Sequence, residues 1–217
     1  MPDFTLIQKI ILLAPPILFA ITVHEVAHGW MANRLGDPTA RMLGRLTLNP
    51  IKHIDPVGTL LIPGFLLLMH SPFLFGWAKP VPITAQNFKQ PRLGMAWVAA
   101  AGPVANLLMA VLWMGIAWIA VALSTRIPLI SPLYYMGQFG VAANVVLGVL
   151  NLFPLPPLDG SRVLAGLLPP EGARILYRLE PYGLFIVAAL MATGVLSALL
   201  GPIMDWLINL LLSPLPQ

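Results

Sequence analysis

The segments Leu93–Leu123 and Leu133–Phe153 contain no charged residue. A helix crosses a hydrocarbon core with about 20 apolar residues, so each run is long enough to span. In lipid, every backbone polar group must be satisfied internally. That constraint removes almost every architecture except a helical bundle. Phe4–Met31 supplies another span, with Pro15–Pro16 placed to bend it. Tyr182–Leu212 supplies a further long run, interrupted at Gly201–Pro202. It reads as one span plus an interfacial helix, or as a hairpin of two segments. Only 9% of the chain is charged, against about 25% in soluble domains. The fold class that follows is an all-α polytopic membrane protein with about four to five transmembrane helices. Residues 1–217 read as a single membrane-embedded domain without a soluble appendage.

Val57–Met69 is too short for a comfortable span and contains Pro63–Gly64. It suits a re-entrant segment. Its flanks, "TARMLGRLTL" (39–48) and "FLFGWAKPVPIT" (73–84), are rich in turn and β formers, and the second has prolines that forbid regular helix. Both are predicted to be short, membrane-associated extended segments. Met1–Lys9 lacks the pattern of a cleavable signal, so the first apolar segment is expected to persist.

The chain has no cysteine, which excludes thiolate metal sites, disulfides and cysteine nucleophiles. Its net charge of +4 is not gathered into a basic cluster with interleaved aromatics, so no nucleic-acid surface is expected. The charge fits basic loops on the cytoplasmic side of a membrane instead.

Within the first span, "FAITVHEVAHGW" (19–30) places His24, Glu25 and His28 in otherwise oily surroundings. Ionisable groups at membrane depth are costly and usually functional. Residues four apart share a helix face, so His24 and His28 can bind one metal ion. Glu25 lies about 100° around the helix, where a carboxylate can serve as general base without being a ligand. This is the physical content of H-E-x-x-H. A catalytic zinc site needs a third protein ligand. Candidates are His53, Asp55, His70, Glu171, Glu180 and Asp159. Asp159 in "NLFPLPPLDGSR" is the choice, because the prolines break the preceding helix and Gly160 permits a sharp turn. A competing role for Asp159 is the N-cap of a helix starting near Ser161.

HEVAH in a membrane helix, followed downstream by Asn151-Leu-Phe-Pro154-Leu-Pro156-Pro157-Leu158-Asp159-Gly160, resembles the site-2 protease family of intramembrane zinc metalloproteases. "AGPVANLLMA" (101–110) is similar to that family's G-P-x-x-N helix, and the resemblance covers residues 19–165. It implies zinc held by His24, His28 and Asp159, with Glu25 as base and Asn151 near the reacting carbonyl. It also implies cleavage within transmembrane segments of protein substrates, including substrates already cut by another protease. A helix-to-helix hydrogen bond is an equal reading for Asn151, and the stronger one for Asn106. The chain departs from the family's larger members in having no PDZ-like insertion and no CBS-like tail, so it resembles a minimal form. A non-proteolytic zinc-binding membrane protein or a metal transporter is the alternative.

Chain parity bears on the site. If 57–69 re-enters, Asp159 emerges on the same side as His24 and His28; if it spans, Asp159 emerges on the other. On the re-entrant path Arg34, Arg41, Arg45, Lys52, Lys79, Lys89, Arg92, Arg162, Arg174 and Arg178 share one face, leaving Lys9 and Arg126 opposite. That asymmetry predicts a multi-pass protein of the cell membrane with its active site toward the cytoplasm.

Overall fold

A computed structural model describes residues 4–69, 76–124, 127 and 130–213. Among them every regular element is helical. Helix α1 spans Leu6–Arg34 and opens with a capping box, in which Thr5 and Gln8 satisfy each other's backbone N–H groups. Pro15 and Pro16 lie inside it without ending it. Helix α2 is the single turn Thr39–Met42. A 3-10 turn, Pro50–His53, precedes a π-helical stretch, Pro56–Leu61, which continues as α3, Ile62–Leu68. After another 3-10 turn at Ala85–Asn87 come the long helices α4 (Pro91–Ser124) and α5 (Ser131–Asn151). The short α6 (Asp159–Leu167) leads to α7 (Pro170–Ala192) and α8 (Val195–Leu212).

Five of these helices, α1, α4, α5, α7 and α8, are long and apolar enough to cross a membrane. Large side chains such as Ile11, Leu108, Ile119, Phe185 and Trp206 face outward. Such surfaces suit lipid as the solvent, and the chain is a multi-pass membrane protein. The last apolar run divides into two helices, but not where its Gly-Pro pair suggested. Pro202 sits inside α8, whereas Gly194 takes φ 74° and separates α7 from α8. Glycine adopts this left-handed conformation without a Cβ clash.

The bundle is centred on α4 and α5, which pack antiparallel. A β-carbon on Gly140 would lie 2.3 Å from the Trp113 ring, and one on Gly137 would lie 2.6 Å from the Ala117 β-carbon. Small residues at these points let the backbones approach closely. Val141, Val145, Val149, Leu158, Val187, Leu196 and Leu200 extend this core toward α7 and α8.

The expectation of short β segments is corrected over 39–48. Thr39–Met42 is a helical turn, set up by Asp37, whose carboxylate accepts the N–H of Thr39 just after Pro38. Residues 73–75 of the second segment fall outside the described residues. Residues 76–84 carry no regular secondary structure, yet their bonding alternates. The N–H groups of Trp77 and Lys79 donate to the carbonyls of Gly58 and His53, and that of Val81 donates to Glu25. Thr59 Oγ1 donates to the Trp77 carbonyl and Arg45 to that of Lys79. Residues two apart therefore face one edge, as in an extended strand.

This strap closes a circuit. The chain leaves His53–Gly58 through α3, and Trp77–Lys79 returns to hydrogen-bond the same residues. Nearby, buried Asp37 accepts from Thr39 Oγ1, from the Thr84 N–H at 2.6 Å and from the Asn87 amide at 2.8 Å. The end of α1 is thereby tied to the approach to α4.

Candidate metal centre

In the C-terminal half of α1, helical spacing puts the two imidazoles face to edge, with ring centroids 4.5 Å apart. Their Nε2 atoms are 3.0 Å apart. Asp159, the first residue of α6, brings Oδ2 to 3.1 Å from His24 Nε2 and 3.3 Å from His28 Nε2. The broken stretch between Asn151 and Asp159 makes this placement possible. A β-carbon on Gly160 would lie 2.1 Å from the Leu152 carbonyl oxygen, so the loop folds tightly onto the start of α6.

The remaining imidazole nitrogens define the tautomers. His28 Nδ1 lies 2.7 Å from the Val98 carbonyl oxygen, which can only accept, so Nδ1 carries the proton. His24 Nδ1 lies 2.6 Å from Asn106 Oδ1. Both Nε2 atoms therefore turn lone pairs toward a carboxylate oxygen. Asp159 Oδ2 is buried and has no hydrogen-bond partner at these contacts. Three acceptors converging without a donor are repulsive unless a cation lies among them. A tetrahedral zinc centre with bonds of about 2.0–2.1 Å sets its ligand atoms about 3.3 Å apart. The observed triangle has edges of 3.0, 3.1 and 3.3 Å, so the donor set fits zinc. Among the described residues this is the one group of three or more such side chains that meets the distance requirement for a metal.

Helix α4 forms the wall behind the histidines. Val98, Gly102 and Asn106 recur every fourth residue and meet α1 as one face. A β-carbon on Gly102 would sit 2.5 Å from His28 Cε1 and 2.7 Å from His24 Cε1. Glu25 points to the strap, where its Oε2 accepts the Val81 N–H at 3.0 Å.

The other sequence candidates lie elsewhere. His53 is buried, with Nε2 2.9 Å from the Thr47 carbonyl. Asp55 caps the helical stretch that begins at Pro56, accepting from Val57 and Gly58. Glu171 lies in the first turn of α7, and Glu180 pairs with Arg162 at 3.0 Å. His70 falls outside the described residues. Asn151 ends α5, and its amide donates to the Leu147 carbonyl one turn back. Gly102, Asn106 and Val81 join the site without having been assigned to it from sequence. The 98–102–106 spacing was the available signal for the first two.

Asp37, just beyond the end of α1, has a pKa that departs clearly from its ordinary value. Burial raises it, but hydrogen bonds from the Thr39 hydroxyl, the Thr84 N–H, the Asn87 amide and the Thr39 N–H outweigh burial and hold it below the usual carboxylate range.

Fold and site together describe a multi-pass membrane protein in which two histidines and a carboxylate form a group that could hold a metal ion, with a glutamate beside it. Comparison with known proteins agrees. The chain is 38% identical over 191 residues to the protein named "Putative zinc metalloprotease YwhC" of Bacillus subtilis, covering 87% of this chain and 84% of that one. It is 31% identical over 196 residues to the similarly named Rip2 of Mycolicibacterium smegmatis, and 29% identical over 197 residues to Rip2 of Mycobacterium tuberculosis. Those matches cover 87% and 89% of this chain and 70% and 71% of the relatives. The chain belongs to the zinc metalloprotease family that includes YwhC. No family model and no solved structure matches it.

Proposed function

We propose that this protein is an intramembrane protease of the site-2 type, hydrolysing peptide bonds within transmembrane segments of membrane-protein substrates. The observation that carries this reading is the convergence of His24, His28 and Asp159 at 3.0–3.3 Å within a bundle of lipid-suited helices. His24, His28 and Asp159 would hold the zinc. When bound, the ion supplies Lewis acidity, polarising a carbonyl and making water easier to deprotonate. Glu25 takes the proton from the attacking water and returns it to the leaving amine. Its Oε2 is occupied by the Val81 N–H, which leaves Oε1 for that exchange. Asn151 is assigned the donor role toward the developing oxyanion, which requires its amide to leave the Leu147 carbonyl.

A substrate helix hides its peptide bonds and must be locally extended before it is cut. The strap at 76–82 offers an edge for this by strand addition. Its inner edge is taken up by Gly58, His53 and Glu25. Its outer edge presents the carbonyls of Ala78, Pro80 and Pro82. The segment 57–69 acts as a re-entrant element, since the chain returns to the residues it left. The site faces the cytoplasm, and substrates include segments already trimmed by another protease.

The test is Glu25→Gln on a model membrane substrate, with zinc measured in parallel. We expect a variant that retains zinc and loses cleavage. Cleavage at the parental rate removes Glu25 as the base. Zinc transport by the parent without any cleavage favours a transporter instead.

A further inference from the structure

Asn106 and Asn144 are both fully buried, and the roles above use neither. Asn106 Nδ2 donates to the Ala20 carbonyl at 3.1 Å and to Asn144 Oδ1 at 3.0 Å. Both amide protons are thereby committed, which fixes which end of the amide faces His24. It must be Oδ1, at 2.6 Å from His24 Nδ1. Asn144 is oriented in turn, because its Nδ2 donates to the Gly140 carbonyl at 2.8 Å. The bonds run in one direction, from His24 Nδ1–H to Asn106, from Asn106 to Asn144, and from Asn144 to the backbone of α5.

We infer that Asn106 and Asn144 form a buried relay that positions His24, holding its Nδ1–H tautomer so that Nε2 offers its lone pair to the metal. The inference rests on the zinc reading of His24. The two histidines are treated differently by the fold. His28 is oriented by a main-chain carbonyl of α4, which no substitution at that position removes. His24 depends on a side-chain amide, and an amide has two ends. Reversed, Asn106 would present a donor to Nδ1 and stabilise the tautomer whose Nε2 carries a proton toward the site. Asn144 and Ala20 together oppose that reversal. Hydrogen bonds linked in series polarise one another at low dielectric, and partners of metal-bound histidines commonly govern metal affinity.

The test is zinc affinity of the purified protein by chelator competition, with thermal unfolding of the metal-free forms beside it. Asn106→Leu is expected to weaken zinc binding about 10- to 100-fold, the range typical of outer-shell partners. Asn106→Asp is expected to bind near the parent. Protonated, it still accepts from His24 and donates onward; ionised, it is a stronger acceptor. Helix packing alone predicts the reverse order, because leucine suits an apolar contact better than a buried acid does. Asn144→Leu is expected to weaken zinc binding less than Asn106→Leu, since Ala20 still holds Asn106. The double variant should match Asn106→Leu alone, because the links act in series. Cobalt substitution adds a spectroscopic readout, with the visible band of Asn106→Leu displaced and that of Asn106→Asp parental. Equal affinity in Asn106→Leu and the parent overturns the relay, as does equal loss in the Leu and Asp variants. Additive losses in the double variant overturn the link through Asn144. Should Asn106→Leu not fold, the remaining variants are read against the parent: weakened zinc in Asn144→Leu with near-parental zinc in Asn106→Asp supports the relay, and unchanged zinc in Asn144→Leu overturns it. A parent that binds no zinc removes the metal centre itself, and the relay with it.

Discussion

Gly102 lies against His28 so closely that a β-carbon there would stand 2.5 Å from His28 Cε1. The same carbon would approach His24 Cε1 to 2.7 Å. The absence of a side chain on α4 is therefore part of how both imidazoles fit. Gly102→Ala must push the rings or the helix aside. Overpacking of this kind costs about 1–3 kcal/mol, which corresponds to roughly 10- to 100-fold in zinc affinity. Chelator competition measures it, and an unchanged affinity would show that α4 can yield at no cost to the site.

Removal of a ligand separates the centre from the other candidates. His28→Ala and Asp159→Ala should lower zinc below one ion per folded chain, measured by elemental analysis after size exclusion. His53→Ala should retain the metal while lowering thermal stability, because His53 is a buried structural residue whose ring bonds the Thr47 carbonyl. Full zinc occupancy in Asp159→Ala would remove that carboxylate from the centre.

The topology is open to cysteine labelling, since the native chain has no cysteine. Single cysteines at Lys52, Lys89 and Arg162 should react with an impermeant reagent from one face, and one at Arg126 from the other. The return of Trp77–Lys79 to Gly58 and His53 requires that Lys52 and the chain beyond Lys79 share a face. Labelling of Lys52 and Lys89 from opposite faces would exclude the re-entrant path.

Asp37 predicts an acid-sensitive joint. Its folded pKa lies below its unfolded value, so the folded state binds fewer protons through that range. The stabilisation is complete above the unfolded pKa near 4 and is lost as pH falls through the folded one. Melting temperature should drop below about pH 4. Asp37→Asn should flatten that part of the profile and cost about 1–3 kcal/mol near neutrality, because an amide in place of the carboxylate leaves buried donors unmatched. A parallel pH profile in the variant would assign the acid sensitivity to other groups.

The spans and the metal motif were legible because each rests on local rules. Apolar length sets α1, α4 and α5, and i to i+4 spacing brings His24 and His28 together. Asp159 needed more, since 131 positions separate it from His28 and only the bend after Asn151 brings it back. The interruption expected at Gly201–Pro202, where Gly-Pro reads as a break in water, falls instead at Gly194. Within an apolar helix the proline costs less, since neighbouring helices and local adjustment can re-satisfy the backbone. Thr39–Met42 reads as extended chain by composition, although Asp37-Pro38 ahead of it is a helix-start signal. Val81 was hidden for another reason. It touches Glu25 through one bond from a distant element, and such a pairing leaves no local periodicity.

The two prolines of the strap impose a rule of polarity on whatever lies beside it. From Ala78 to Pro82 the outer edge has three carbonyls but one N–H, since Pro80 and Pro82 carry none. Two such edges brought together have almost no donors between them, so neighbouring copies in a crowded bilayer cannot zip through this surface. A segment added there would have to bring its own N–H groups, and a proline in its matching register would leave a carbonyl unpaired. The strap thus disfavours pairing with its own kind, and on the proposed strand-addition reading it would accept only a chain that supplies the donors.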